Sequence, residues 1–181
     1  MNKPLKYSIF LTVLGIIAGF LLAFVNSITA PVIEARKKEE VKKALQEHFD
    51  YPDFSVSQIA NYKDIDKTIT DIFFAFDNNK LTAVIYQTKA SGYQSEVVAL
   101  VGIKADGTFE KVVMIDEGET SGIGTNVYKH DFKITGEVVT DYSYELLGGA
   151  TRTSSAVAKG IDAAAKHFKT IKDSLGGITN E

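Results

Sequence analysis

The chain of 181 residues contains no cysteine. Within these residues, that absence excludes disulfides, iron–sulfur clusters, thiolate zinc sites and a lipidated cysteine anchor. Histidine is scarce as well, since only His48, His130 and His167 are present, far apart and at no metal-ligand spacing. We therefore expect no metal site.

Positive charge is not in excess. Lys and Arg number 20 against 23 Asp and Glu, which gives a net charge of −3 and an isoelectric point of about 5.7. Nucleic-acid-binding domains are usually basic or carry a basic stripe, so nucleic acid is not an expected partner. The composition is otherwise that of an ordinary globular protein, and the length suits one folded domain with additional segments.

A long apolar run stands near the start of the chain. Ile9 to Val25 reads IFLTVLGIIAGFLLAFV, and no charged residue interrupts Tyr7 to Ala30. A helix of ~20 apolar residues crosses the hydrocarbon core of a bilayer. We predict a single-pass anchor over residues 1–30 that contacts the lipid bilayer. A cleaved signal peptide is the alternative, with weak small-residue cleavage sites around residues 23–29.

The charges that flank this run disagree about its orientation. Lys3 and Lys6 favour a cytoplasmic N-terminus, because cytoplasmic ends of spanning helices are enriched in Lys and Arg. Arg36, Lys37 and Lys38 follow the run closely and oppose that orientation. Charge alone therefore leaves the orientation open.

The pattern after the anchor predicts an α+β architecture. Pro31 to Phe49 has helical spacing, so residues 31–70 are interpreted as a helical stalk and connector. Residues 71–181 are interpreted as one domain, an antiparallel sheet with a C-terminal helix. The predicted elements are a hairpin of 72–76 and 81–88, a hairpin of 96–103 and 108–115, a further strand over 133–140, and a helix from Ser154 to about Ser174.

Three glycine-containing segments stand at the borders of these elements. Ala90 to Tyr93 and Glu117 to Thr125 each follow a predicted strand, and Glu145 to Ser155, ELLGGATRTSS, precedes the last helix. On local grounds Ser154 is either a plain N-cap of that helix or part of an anion-binding helix start. Backbone N–H groups and the helix dipole favour a phosphate at such a start.

Taken together, these segments resemble a known family. Residues 145–154 lie on a signature of Asp, two free positions, Ser or Thr, then Gly-Ala-Thr, and residues 119–124 match Glu-Thr-x-Gly-x-Gly. A Gly-Tyr pair, Gly92-Tyr93, stands before the Val-Gly-Ile strand at 101–103. The chain resembles the FMN-binding domain of the G subunit of Rnf-type ion-translocating electron transport complexes. It is similar in the same way to the C subunit of the sodium-pumping NADH:quinone reductase.

The resemblance implies a covalent cofactor and names its binding residues. FMN would be joined through its phosphate to Thr151 as a phosphoester, installed by a separate flavin transferase that uses FAD. Gly149, Ala150, Thr153 and Ser154 would surround that helix start. The flavin would be lined by Glu119, Thr120, Gly122, Ile123 and Gly124, with Tyr93 beside it and Val157 beneath the ring.

The resemblance also implies a function. The chain would be a membrane-anchored flavoprotein subunit that relays electrons through FMN in a ferredoxin:NAD complex, with other membrane subunits as partners. It would be an electron-transfer subunit rather than a self-sufficient enzyme. The N-terminus would be cytoplasmic, with the FMN domain on the outer face of the inner or plasma membrane.

Two positions depart from the signature. Glu145 replaces Asp and Gly148 replaces Ser or Thr. Gly148 in place of a hydroxyl residue keeps open the alternative of a structural subunit that has lost its flavin. The resemblance also leaves open a stand-alone extracellular FMN-binding electron-transfer protein, because the same domain occurs in such proteins.

Overall fold

The computed structural model describes residues 3–57, 65–115 and 124–178. The chain forms two compact units, Met1–Leu45 and Gln46–Glu181. One continuous helix, α1 (Lys3–His48), accounts for nearly all of the first unit and contains Pro31. Its 46 residues correspond to a length of about 69 Å at 1.5 Å per residue.

Helix α1 is long enough and apolar enough to cross a membrane. Its large apolar side chains between Leu5 and Ile33 are exposed. Hydroxyl groups in the apolar part donate hydrogen bonds within the helix, as Thr12 Oγ1 does to Ser8 O (2.9 Å) and Ser27 Oγ to Phe24 O (2.8 Å). Such internal pairing is what a lipid environment requires of polar groups. The predicted anchor and stalk are thus parts of one helix.

The second unit contains a five-stranded sheet in the described residues. Each strand is antiparallel to its neighbour, and the spatial order equals the chain order. The strands are β1 (Asp53–Ser57), β2 (Ile69–Asp77), β3 (Lys80–Ser91), β4 (Glu96–Lys104) and β5 (Phe109–Met114).

Both predicted hairpins are confirmed. The β2–β3 turn has Asn78 at φ 50° and Asn79 at φ 61°. Two successive left-handed residues form the type I′ turn whose twist suits a hairpin, and Asn tolerates this conformation. In the β4–β5 turn Gly107 has φ +98°, which explains the Asp-Gly signal.

Two sequence expectations about strands are wrong. Residues 53–57 lie in the predicted connector but form edge strand β1, whose partner is the strongly apolar β2. Residues 133–140 form no strand; they make only isolated bridges, Thr108 with Val138 and Val138 with Asp141. Left-handed Lys133 (φ 54°) and Gly136 (φ 89°) interrupt the extended backbone that a strand needs.

The C-terminal helix, α2 (Thr151–Ile171), closes one face of the sheet and packs mainly on β3 and β4. A 3₁₀ helix, Lys172–Gly177, follows it directly. The apolar stripe of α2 and the inward side chains of β2 to β5 form the main core. Its largest fully buried side chains are Tyr86, Phe76, Phe109, Phe168, Ile72, Val84, Ile103, Ile134 and Ile161.

Two glycines let neighbouring elements approach closely. A Cβ at Gly160 of α2 would lie 2.9 Å from Thr88 Cβ on β3 and closer still to its hydroxyl. On the other face of the sheet, a Cβ at Gly102 would overlap the ring of Phe49. Phe49 is 1% exposed, so its ring fills the space that Gly102 leaves.

Candidate functional site

The packing of α2 on β3 sets which end of the sheet meets the start of the helix. Gly160 lies against Thr88, and the Nδ1 of His167 lies 3.2 Å from the hydroxyl of Tyr86. Residue numbers therefore rise along α2 as they fall along β3, so the two elements run antiparallel. The N-terminus of α2 lies at the end of the sheet where β3 turns into β4.

The β3–β4 turn and the end of β5 lie at that same end. The β3–β4 turn starts at Gly92, whose N–H donates to Ser95 O (2.8 Å). Strand β5 ends there as well, because Met114 pairs with Ala99 near the beginning of β4. The β3–β4 turn, the end of β5 and the start of α2 therefore lie at one end of the domain.

The segment that follows β5 is described only in its last part. Glu119, Thr120, Gly122 and Ile123 lie outside the described residues. Gly124 is buried and begins a 3₁₀ helix, Gly124–Lys129, that contacts α2. The chain thus returns from this segment to the neighbourhood of the closing helix.

Helix α2 begins at Thr151, and within the described residues no side chain caps it. The first intrahelical backbone bond runs from Ser154 N to Ala150 O (2.9 Å). The N–H groups of the preceding turn therefore point out of the helix end. Thr151 and Arg152 are both exposed there, and the first turn contains no acidic residue. This combination favours an anion such as a phosphate ester.

The structure contradicts the alternative in which Ser154 is the N-cap. Ser154 lies inside the first turn, and its hydroxyl donates back to Ala150 O (3.0 Å) and Thr151 O (3.3 Å). Thr153 and Ser154 are buried. Val157 is 1% exposed and packs in the main core. Of the hydroxyl residues at 151, 153 and 154, only Thr151 is at the surface.

The two glycines before the helix leave open space around its start. Apart from the glycine itself and its two chain neighbours, no described residue has an atom within 4 Å of a Cβ placed at Gly148 or Gly149. Gly149 has φ +84°, a conformation that other residues rarely adopt. Ala150 follows as a buried residue whose N–H donates to Leu147 O (3.2 Å). A phosphate ester on Thr151 therefore fits beside these glycines.

Two tyrosines, Tyr142 and Tyr144, connect the segment before Glu145 to α2. Tyr142 and Tyr144 donate hydrogen bonds to the two carboxylate oxygens of Asp162, at 2.8 and 3.0 Å. The ring of Phe109 packs edge-on against Tyr142, with centroids 5.1 Å apart. Burial and the bond to Asp162 raise the pKa of both phenols above their usual range.

The same segment is tied to residues 130–133 at Glu145. Lys133 Nζ lies 2.9 Å from Glu145 Oε1, Glu145 N donates to Phe132 O (3.1 Å), and His130 Nε2 donates to Glu145 O (2.8 Å). Sequence patterns did not single out Lys133, His130 or Asp162, because these contacts join irregular loops that no period describes.

Tyr93 lies in the β3–β4 turn and is 67% exposed, whereas Gly92 beside it is buried. The structure therefore brings the backbone of residues 92–95, the end of β5 and the 148–154 segment to one end of the domain. Tyr93 is an exposed aromatic side chain at that end.

Comparison with known proteins finds a family match and two similar chains. Residues 92–166 match the model of the FMN-binding domain family. The chain is 24% identical over 190 residues to the G subunit of the Na⁺-translocating ferredoxin:NAD⁺ oxidoreductase complex of Acetobacterium woodii, covering 92% of each chain. It is 28% identical over 174 residues to the G subunit of the proton-translocating ferredoxin:NAD⁺ oxidoreductase complex of Clostridium ljungdahlii, covering 88% of this chain and 89% of the relative.

A solved structure has the same fold. The crystal structure of Shewanella oneidensis NqrC aligns with a TM-score of 0.50 and 23% identity, covering 67% of this chain and 69% of that one. The predicted α+β architecture and the predicted resemblance are both confirmed. By the 92–166 match and the nearly full-length similarity, this chain resembles the G subunits of ion-translocating ferredoxin:NAD⁺ oxidoreductase complexes and contains the FMN-binding domain pattern.

Proposed function

We propose that this chain is a membrane-anchored electron-transfer subunit whose FMN is joined to Thr151 through a phosphoester. The observation that carries the proposal is that the β3–β4 turn and the end of β5 lie at the same end of the domain as the uncapped start of α2, where Thr151 is exposed. The match of residues 92–166 to the FMN-binding domain supports FMN as the cofactor.

The helix start suits the phosphate part of the cofactor. The outward N–H groups of the first turn and the Arg152 guanidinium stabilise negative charge, and Gly149 leaves room beside Thr151. When bound, FMN supplies the redox chemistry, while the protein supplies position and electrostatics. We assign the flavin-lining role to residues 119–124, on the Glu-Thr-x-Gly-x-Gly match, and to Tyr93, which lies in the β3–β4 turn.

Attachment requires a donor and a separate flavin transferase. The Thr151 hydroxyl would take the FMN part of FAD, the pyrophosphate bond would break, and AMP would leave with the other phosphate. A threonine hydroxyl is a weak nucleophile, so an outside enzyme must activate it.

The cellular setting follows from α1 and from the relatives. Helix α1 would hold the domain at the inner or plasma membrane as a single-pass anchor over residues 1–30, with 31–70 as stalk and connector and 71–181 as the flavin domain. The FMN domain would lie on the outer face. Its partners would be the other membrane subunits of an ion-translocating complex, as both relatives are named as subunits of such complexes.

Flavin fluorescence on a denaturing gel tests the proposal. The full chain, produced with a competent flavin transferase, is expected to fluoresce after denaturation, because a phosphoester survives unfolding. Thr151→Ala should abolish the signal, whereas Thr135→Ala, at an exposed threonine in another loop, should retain it. Equal fluorescence of wild type and Thr151→Ala would overturn the assignment.

A further inference from the structure

Glu145 stands at the head of the segment that leads to Thr151, and its carboxylate is already engaged. Lys133 Nζ lies 2.9 Å from Glu145 Oε1, and the two side chains are 63% and 61% exposed. The Glu145 carboxylate is therefore paired with Lys133 of its own chain.

Hydrogen bonds to the backbone hold Lys133 and Glu145 next to each other. Glu145 N donates to Phe132 O (3.1 Å), and His130 Nε2 donates to Glu145 O (2.8 Å). On the other side, Lys133 N donates to Asp131 Oδ1 (2.8 Å), which fixes a turn with Lys133 at φ 54°. A lysine in this left-handed conformation is uncommon, and here it aims the side chain at Glu145.

The segment before Glu145 is fixed independently. Tyr142 and Tyr144 bond to Asp162 on α2. After Glu145, the chain passes exposed Leu146 and the open glycines before it enters α2. Glu145 is thus the last residue before Thr151 that is held by a polar side chain, while Leu147 and Ala150 between them pack on the core.

We propose that the Lys133–Glu145 ion pair is a latch that presents residues 146–151 for modification, with Lys133 as a positioning residue. Glu145 then acts by holding the segment through Lys133, and the transferase does not recognise its carboxylate directly. This inference rests on the proposed modification of Thr151.

A charge swap tests the latch in the full chain, in detergent, with purified flavin transferase and FAD. The rate of mass gain by the intact protein is measured for Lys133→Glu, Glu145→Lys and the double variant. Each single reversal should slow the gain about two- to fivefold, the upper part of the range that one exposed ion pair supplies. The double variant should recover to within about twofold of wild type, since the pair is restored with opposite signs.

The exposed Lys43–Glu39 pair on α1 provides the matched control, and Lys43→Glu should leave the rate unchanged. If Lys133→Glu reacts at the wild-type rate, or the double variant is as slow as Glu145→Lys, the latch is overturned. A double variant as slow as Glu145→Lys would instead indicate that the transferase recognises the Glu145 carboxylate itself.

Amide hydrogen exchange separates failure of the latch from failure of the proposed function. Exchange over residues 146–150 should be faster in both single variants and return towards wild type in the double variant, whether or not flavin is attached. Unchanged exchange in the single variants contradicts the latch. A wild-type protein that gains no mass contradicts only the modification of Thr151.

Discussion

Gly148 and Gly149 are adjacent in the chain but differ in what they require of the backbone. Gly149 has φ +84°, and Gly148 has no such constraint. Both face open space among the described residues. The departure of Gly148 from the family signature is therefore compatible with the fold, because a serine or threonine side chain would also fit there.

Gly149→Ala should lower the free energy of unfolding by about 1–2 kcal/mol, because an L-residue in the left-handed region is strained. Gly148→Ala is the matched control and should change it by less than about 0.5 kcal/mol. Urea unfolding of both variants measures the difference. Equal destabilisation by the two substitutions would contradict the conformational distinction.

At the scale of secondary-structure elements, α2 and β3 form the contact that sets the geometry of the site. Gly160 lies against Thr88, and Thr88 Oγ1 donates to Ala99 O (3.1 Å) on β4. His167 lies against Tyr86 further along the same pair of elements. A shift of α2 along β3 would move Thr151 relative to the turns at that end of the sheet.

Gly160→Ala should destabilise the domain even though alanine is the better helix former. In an open helical site the change would add about 1 kcal/mol of stability. Here the new Cβ would overlap Thr88, and overpacking costs typically about 1–3 kcal/mol. A rise in the melting temperature of this variant would show that α2 does not approach β3 so closely. Adding Thr88→Ala should recover part of the loss.

Acid should weaken the same contact through His167. Burial lowers the pKa of His167 below its usual 6.5. The unfolded chain then binds a proton at higher pH than the folded chain does, so this contribution to stability is present above pH about 6.5 and is lost as pH falls below it. Thermal unfolding of His167→Gln, followed between neutral pH and pH about 5, should show a shallower loss than wild type. Parallel pH profiles would exclude His167 as the cause.

The elements differ in how far the sequence predicts them. Both hairpins and α2 carry strong periodic patterns and turn residues, and the structure confirms them. The predictions for residues 53–57 and 133–140 are wrong, because pairing with β2 determines the first backbone and left-handed residues determine the second. The helix start could be proposed from GGAT, whereas the contacts of Lys133 and Asp162 depend on loops brought together only by folding.

At the scale of the whole molecule, the absence of cysteine makes the proposed orientation directly measurable. Single cysteines at Lys6 and at exposed Ser143 would be the only thiols in the chain. A membrane-impermeant maleimide should label Ser143→Cys in intact cells (spheroplasts, where an outer membrane is present) and Lys6→Cys only after lysis. The reverse pattern would place the FMN domain in the cytoplasm.

The two relatives differ in the ion that their names give, Na⁺ in one and protons in the other. Similarity to both therefore supports the proposed electron-transfer role without selecting an ion. The proposed role depends on FMN attached at one residue, Thr151, at the start of α2.

The mass of the proteolytic peptide that contains Thr151 tests this central claim most directly. From protein matured with a flavin transferase, we expect that peptide to be heavier by one FMN less one water, with fragmentation placing the addition on Thr151. An unmodified Thr151 peptide from protein that nevertheless carries covalent flavin on another residue would contradict the account.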